Sequence, residues 1–195
     1  MLNDDITGMK TKRRVKKLKG KEWYEIVSPK FIGDLSLGET PALDPGMVIG
    51  RKVEASLMEI SNDPSKYYIK LIFKISDVSG GKARTEFFGH ECTRDFLARI
   101  VRKRTSRIDT NEVYELKDGK IRIKTITITE RRVDTTVKTR IRKKVCEFLK
   151  SALSEMKIED FVRSFILGKI QNSVRKEIEK IYPVRIFEIR KSEVV

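Results

Sequence analysis

The sequence predicts an α+β protein: a mostly antiparallel β-barrel of about seven strands with flanking helices and a basic N-terminal tail. Up to about residue 130, apolar and polar residues alternate with the period that half-buried strands show. From about Thr136 the apolar residues recur with the period of helices. Gly80-Gly81 and Asp118-Gly119 are typical of tight hairpin turns. Closure into a barrel would remove the edges of so many strands, and a helix-covered open sheet is the alternative.

The predicted strands are short apolar or alternating runs bounded by turn residues. Residues 29–46 contain several glycines and prolines, which predict a loop that crosses the surface. In the arm that follows Asp118-Gly119, the isoleucines change parity between Ile123 and Ile126, which predicts a β-bulge there. The predicted strands cover residues 22–27, 48–60, 67–78, 83–90, 107–116, 120–130 and 184–190.

Helices are predicted where one apolar stripe recurs every three or four residues. The first begins after Thr93, whose hydroxyl can cap the first turn, and runs to about Arg104. The last ends before Pro183, which cannot continue a helix. The three later helices cover about residues 136–152, 158–166 and 169–182.

Two parts of the chain are predicted: a basic tail at residues 1–21 and a single barrel domain with C-terminal helices at residues 22–195. Residues 10–21 contain eight basic residues in twelve, with only Val15 and Leu18 apolar. Such a segment cannot cover a core, so we expect it to be disordered alone and to become ordered on a phosphate backbone. A solvated tail without a partner is the alternative.

The charge of the chain indicates a polyanionic partner. Lys and Arg number 43 and Asp and Glu 28, which gives a net charge of +15. Phosphates neutralise such a field and release counterions. Because the sequence has neither an apolar run long enough to span a bilayer nor a signal peptide, we expect a cytoplasmic protein without a membrane partner. Cys92 and Cys146 are expected to be reduced core thiols, with a disulfide or metal role as the alternative.

The residues that could support catalysis are few. His90 is the only histidine, so a two-histidine metal site and a histidine proton relay are excluded, and a structural role is expected for it. Carboxylate pairs such as Asp109 and Glu112 are expected by chance among 28 acids. No phosphate-binding loop or nucleophile elbow occurs. We therefore expect no enzyme activity, no cofactor and no metal.

Three clusters of basic residues point to nucleic acid. The first is the tail. The second lies at residues 99–107 and contains Arg99, Arg102, Lys103, Arg104 and Arg107. The third lies at residues 131–144 and includes Lys138. A single cluster is often only a solvated face, but three of them in a strongly basic chain favour phosphate binding. The residues predicted to contact RNA are Lys10, Lys12, Arg13, Arg14, Lys16, Lys17, Lys19, Lys21, Arg94, Arg102, Lys103, Arg104, Arg131, Arg132, Arg140, Arg142, Lys143 and Lys144.

Folded RNA is favoured over DNA because no helix-turn-helix, zinc-finger or basic-zipper pattern is present. Aromatic residues are only 8% of the chain, and most occur at core positions, which argues against a base-stacking platform. Trp23, Tyr24 and Phe31 are expected in the core, with anchoring of the tail or stacking on RNA as the alternative. Recognition of RNA backbone and shape fits these observations best.

Several short motifs resemble those of the S3Ae family of small-subunit ribosomal proteins, which archaea and eukaryotes share. They follow the order and spacing of the family's motifs over about 170 residues. Each is weak alone, and Phe88-Gly89-His90 followed by Thr93-Arg94-Asp95 is the most distinctive. The motifs are Lys21-Glu22-Trp23-Tyr24, Ser28-Pro29-Lys30-Phe31, Gly50-Arg51, Phe88-Gly89-His90, Thr93-Arg94-Asp95, Ile141-Arg142-Lys143-Lys144, Ile181-Tyr182-Pro183 and Arg190-Lys191.

The resemblance implies a β-barrel with helices and a structural role in the small ribosomal subunit. It implies a place on the platform near the messenger exit, with small-subunit ribosomal RNA and neighbouring platform proteins as partners. The sequence does not show the long C-terminal extension of eukaryotic members, which suggests the archaeal type. A free RNA chaperone or regulator is the main alternative. An RNA-processing enzyme is a third hypothesis, and it would depend on acids such as Asp109 or Glu112.

Overall fold

The computed structural model of the protein describes residues 20–195, which form eight strands, five α-helices and two single-turn 3-10 helices. The tail residues Lys10 to Lys19 lie outside the described part. The strands are β1 (Glu22–Val27), β2 (Ser36–Ala42), β3 (Lys52–Ser56), β4 (Ile69–Ser79), β5 (Lys82–Cys92), β6 (Arg107–Leu116), β7 (Gly119–Thr129) and β8 (Val184–Val194). The helices are α1 (Leu57–Ser61), α2 (Arg94–Ile100), α3 (Thr135–Leu153), α4 (Ile158–Ile166) and α5 (Lys169–Glu179), and the 3-10 helices are Pro45–Met47 and Pro64–Lys66.

All eight strands belong to one sheet, whose main path runs β2-β1-β5-β8-β7-β6, with β4 on the other edge of β5 and β3 beyond it. Every pair is antiparallel except β1 with β5. The α+β class is confirmed. The barrel is not, because β2 and β6, at the two ends of the path, do not pair and the sheet stays open. The alternative, a helix-covered open sheet, describes it, since α3 packs against β6 and α5 against β8.

The core lies between the sheet and the C-terminal helices. Phe73 of β4 is fully buried in it, together with Leu149 of α3, Phe161 of α4 and Ile178 of α5. Full burial of one such side chain stabilises the fold by about 1.5–3 kcal/mol. The apolar stripes predicted for the three later helices therefore form the helical side of this core.

The predicted bulge within β7 is wrong. Strand β7 pairs with β6 in unbroken register from Gly119 to Ile128. The parity of its isoleucines changes because the second half of the strand is buried on both faces, with Ile126 and Ile128 packed beneath Ile100 of α2. The register shift next to this point lies instead in the pairing with β8, where Arg190 is the extra residue.

The structure corrects two further strand predictions. Strand β2 lies inside the predicted loop, where Gly38 and Pro41 look like strand breakers, but β2 ends the main path of the sheet and a proline is tolerated on an edge strand. The predicted strand at residues 48–60 is shorter and is followed directly by α1. Tyr24 is buried and Phe31 packs on the core as predicted, whereas Trp23 is partly exposed on the outer face of β1.

Strand β8 joins β5 at a short junction of three residue pairs centred on His90. The buried imidazole of His90 donates from Nε2 to the Ile189 carbonyl oxygen at 2.8 Å, and its Nδ1 lies 2.6 Å from the Ser192 hydroxyl. Its ring packs on Phe165 at 3.9 Å between centroids. Burial lowers the pKa of His90 to about 4, so the neutral ring is the one that fits. His90 is thus a packing residue.

Cys92 is buried and Cys146 half-buried, and both are free thiols. Burial is the main reason that the pKa of each thiol lies above its ordinary value. Of the helices that the structure describes, none combines the length and the apolar character that crossing a bilayer requires.

We expect Gly89→Ala to destabilise the protein, because a Cβ at Gly89 would overlap the backbone carbonyl oxygen of Ser192 and force β5 and β8 apart. Overpacking of this kind costs about 1–3 kcal/mol or more. Thermal unfolding measures the effect. The control is Gly46→Ala, where the new methyl group would meet no atom within 4 Å. Equal melting temperatures for the two variants would contradict the tight β5–β8 junction.

The protein should lose stability as the pH falls from about 6.5 to about 4, because the unfolded state binds a proton that buried His90 does not. Its folded pKa lies below its unfolded pKa, so this stability is complete above pH 6.5 and falls by up to about 1.4 kcal/mol per pH unit in that window. Urea unfolding at several pH values, compared with His90→Gln, isolates the effect. Burial raises the pKa of Glu188. This carboxyl group is present in the unchanged protein and in His90→Gln alike, so its titration does not affect the difference between them. Identical pH profiles would refute the prediction.

Candidate nucleic-acid interface

Two loops meet at one end of the β6–β7 hairpin and form a concave basic surface. The loop between α2 and β6 supplies Arg102, Lys103 and Arg104, and the loop between β7 and α3 supplies Arg131 and Arg132. All five side chains are exposed. These residues, with Thr105, line the concavity, which we call the two-loop basic site. The structure thus brings together parts of two basic clusters that are far apart in sequence.

The hairpin itself explains why the loops meet. Arg107 near the start of β6 lies opposite Ile128 near the end of β7. The residues that precede β6 and those that follow β7 must therefore emerge at the same end of the sheet. This juxtaposition could have been inferred from the hairpin signal at Asp118-Gly119, although the two clusters were predicted separately.

A pair of buried hydroxyl residues, Ser106 and Thr129, connects the two loops. The Ser106 amide donates to Thr129 Oγ1 at 3.1 Å, and the Thr129 amide donates to the Ser106 carbonyl oxygen at 3.1 Å. The Thr129 hydroxyl donates to the Arg131 carbonyl oxygen at 2.6 Å, and the Val133 amide donates to Ser106 Oγ at 3.1 Å. These bonds hold both loops against each other. Neither residue was predicted from the sequence, where the only signal was a hydroxyl residue in each flanking position.

The first loop is a tight turn with an unusual backbone at Arg104. The Thr105 hydroxyl donates to the Arg102 carbonyl oxygen at 2.7 Å. Arg104 has φ of +64°, in the left-handed region that residues with a side chain rarely adopt. The predicted helix to Arg104 is therefore too long, since α2 ends at Ile100.

The five basic side chains of the two-loop basic site take part in no ion pair within residues 20–195. The nearest acids in sequence are Asp95 and Asp109 for the first loop and Glu130 and Asp134 for the second. Uncompensated guanidinium groups on a fixed concave backbone suit phosphate, because each can donate two parallel hydrogen bonds to it. The site can therefore bind a polyanion.

The other predicted residues that the structure describes do not line this site, and all but one of them are exposed. Arg94 begins α2, Lys21 precedes β1, and Arg140, Arg142 and Lys143 lie along α3. The exception is Lys144, which is half-buried and pairs with Glu177 of α5 at 3.7 Å. The tail residues Lys10, Lys12, Arg13, Arg14, Lys16, Lys17 and Lys19 lie outside the described residues.

Two arginines of the predicted cluster at residues 99–107 have partners within the protein. Arg99 donates to the Tyr67 hydroxyl at 2.9 Å, and Arg107 pairs with Asp109 at 2.8 Å. Asp109 is thus engaged in an ion pair, and Glu112 lies exposed further along β6.

Comparison with known proteins identifies relatives over nearly the whole chain. The model of the ribosomal S3Ae family matches residues 9–195. The small ribosomal subunit protein eS1 of Methanothermobacter thermautotrophicus is 39% identical over 186 residues, covering 94% of this chain and 95% of the relative. The protein of the same name from Sulfurisphaera tokodaii is 36% identical over 189 residues, covering 96% and 98%. That from Saccharolobus islandicus is 38% identical over 182 residues, covering 92% and 86%.

Removing the hydroxyl of Thr129 should loosen the two-loop basic site without changing its charge. In Thr129→Val the buried Ser106 amide loses its acceptor, which should destabilise the protein by about 1–3 kcal/mol. Weaker RNA binding should accompany this destabilisation, because the loops lose two of the hydrogen bonds that hold them against each other. Urea unfolding and RNA titration measure the two effects.

The matched control is Thr139→Val, since the exposed Thr139 hydroxyl donates only within α3, to the Thr135 carbonyl oxygen at 3.0 Å. It should leave both quantities nearly unchanged. If Thr129→Val behaved like this control, the hydroxyl pair would have no part in ordering the loops.

Proposed function

The chain belongs to the ribosomal S3Ae family, and from this membership we infer that it is a structural protein of the small ribosomal subunit, where it binds ribosomal RNA and takes part in translation. The named relatives are small-subunit proteins of archaea. We propose that the two-loop basic site is its principal contact with the phosphate backbone of folded ribosomal RNA.

The observation that carries this proposal is the meeting of five exposed cations on two fixed loops. A phosphate backbone offers a row of negative charges, and each phosphate that is neutralised releases counterions. Since hydrogen bonds hold the backbone of the loops, the positions from which the cations extend are set before RNA arrives, and less backbone entropy is lost on binding.

The backbone of Arg104 supports the same assignment. A left-handed conformation costs an arginine about 1–3 kcal/mol, whereas a glycine adopts it readily. Strain of this kind gathers at functional sites, where the surrounding structure holds it in place. An arginine at this position is explained if its guanidinium group has a ligand.

We propose further contacts along the exposed basic residues of α3, Arg140, Arg142 and Lys143, and through the tail at residues 1–21. The domain at residues 22–195 would then sit on the RNA surface with the tail bound to a neighbouring groove. A place on the platform of the cytoplasmic ribosome, beside other platform proteins, follows from the family resemblance and is part of this proposal.

Replacing Arg102, Arg104 and Arg131 together by Ala should weaken binding to small-subunit ribosomal RNA and flatten its dependence on salt. The slope of log K against log salt should fall by about 0.7–0.9 for each phosphate that the protein no longer neutralises. Filter binding between about 0.05 and 0.2 M salt measures it.

The control for this variant replaces Lys70, Lys120 and Lys180 by Ala, which lowers the net charge by the same amount. Each of these lysines already pairs with a glutamate, at 3.2, 2.8 and 2.6 Å. The control should keep most of the slope. Equal slopes for the two triple variants would mean that only net charge matters, and the two-loop basic site would lose its special role.

Deleting residues 1–21 should lower the same slope if the tail binds phosphate, because eight basic residues leave with it. Filter binding against the same RNA measures the change, with circular dichroism to check that the fold persists. An unchanged slope would remove the tail from the RNA interface but would leave the two-loop basic site in place.

A further inference from the structure

The N-terminal hairpin of this basic protein is acidic. Residues 22–51 contain five acids and two bases, Lys30 and Arg51, in a chain whose net charge is +15. We call this region, β1 and β2 with the loop that leads to β3, the acidic edge. No acid of this edge takes part in an ion pair within residues 20–195. The five acids are Glu22, Glu25, Asp34, Glu39 and Asp44.

Two of these acids face each other across the hairpin. Glu25 of β1 lies directly opposite Glu39 of β2, so both side chains are on the same face. Like charges in this arrangement destabilise a sheet. Lys82 lies beside Glu25 on β5 but forms no ion pair with it in the described residues. The repulsion is relieved if a cation from outside approaches this face.

Large apolar side chains are exposed on the same edge. Trp23, Leu43, Met47 and Ile49 are exposed at 37%, 52%, 54% and 50%. Trp23 lies opposite Pro41 on the outer face of the hairpin. Exposed apolar groups rimmed by charged residues are typical of surfaces that bind other proteins.

The loop that carries Leu43, Met47 and Ile49 is held in place by hydrogen bonds and by a buried side chain. Between Met47 and Ile49, the side chain of Val48 is fully buried. Arg51 donates from Nε to the Met47 carbonyl oxygen at 2.9 Å and from Nη1 to Thr40 Oγ1 at 2.6 Å. The apolar residues are therefore exposed in a fixed arrangement, which reduces the entropy lost when a partner binds.

We propose that the acidic edge is the docking surface for a neighbouring protein of the small subunit, through a segment rich in Lys and Arg with an apolar anchor. This inference rests on the proposed function. RNA does not fit, because its phosphates would face carboxylates that form no ion pair in the described part of the chain. A second copy does not fit either, because its own acidic edge would repel this one. RNA and protein thus bind at opposite ends of the strand path, near β6–β7 and at β1–β2.

The test places a photoactivated benzoylphenylalanine at Met47 in the full-length chain, assembled into subunits and isolated by sedimentation at about 0.5 M salt, where weak electrostatic contacts are screened. After irradiation, mass spectrometry should identify a cross-linked peptide from another subunit protein, and that peptide should be rich in Lys and Arg. The same probe at exposed Val113 on β6 should not cross-link to this peptide.

Charge reversal supplies the second part of the test. With Glu39→Lys and Asp44→Lys, the cross-link from Met47 should fall about tenfold or more, because like charges at an interface cost several kcal/mol. Glu59→Lys with Glu155→Lys makes the same change of charge at exposed positions outside the edge and should preserve the cross-link.

Three results would overturn the inference while leaving the proposed function intact. They are a cross-link to ribosomal RNA, a cross-link to residues 1–21 or to a second copy of the chain, and no cross-link from a chain that does sediment with subunits. A cross-link that survives charge reversal also counts against it. A chain that never sediments with subunits would instead refute the proposed function, and with it this inference.

Discussion

Strand β5 holds the sheet together, because it pairs with three other strands. One edge of β5 pairs with β4 along most of its length, while the other edge is shared between β1 at its start and β8 at its end. The junction with β8 allows no side chain at Gly89, where the backbone of β8 passes too closely. His90 then completes the contact by bonding to two residues of β8. Without this junction, β6, β7 and β8 would lose their link to the other strands.

The two chemically distinct surfaces depend on that arrangement. Cations gather where the β6–β7 hairpin opens, and carboxylates gather on β1 and β2 at the other end of the strand path. Both surfaces are carried by short loops that side-chain hydrogen bonds hold in place, through Ser106 and Thr129 in one and Arg51 in the other. A protein that fills a position between RNA and other proteins needs both kinds of surface, kept apart by a stiff core.

Local residue patterns predicted most strands and helices, whereas the pairing of strands that are distant in sequence was not predicted. The β6–β7 hairpin was predicted from Asp118-Gly119, and its strands lie close to the predicted bounds. The turn itself lies one residue earlier than predicted, at Lys117 and Asp118, because Gly119 already pairs with Leu116. Closure of a barrel depends on which distant strands meet, and no residue pattern reveals that. The edge strand β2 was predicted as a loop because it contains Gly38 and Pro41, which usually interrupt strands. Each basic cluster could be recognised from the sequence, and the hairpin signal between them was enough to bring the two loops together. The role of the Thr129 hydroxyl could not be recognised, because it depends on contacts that only the folded backbone shows.

The central place of β8 affects how the chain can fold during its own synthesis. Strand β8 lies between β5 and β7, although it is the last of the described strands to be translated. The β4–β5 and β6–β7 hairpins can form early, since their contacts are local. The sheet as a whole cannot be completed until residues near Val194 have left the exit tunnel. Until then the nascent chain exposes free edges on β5 and β7, which need shielding from other unpaired strands.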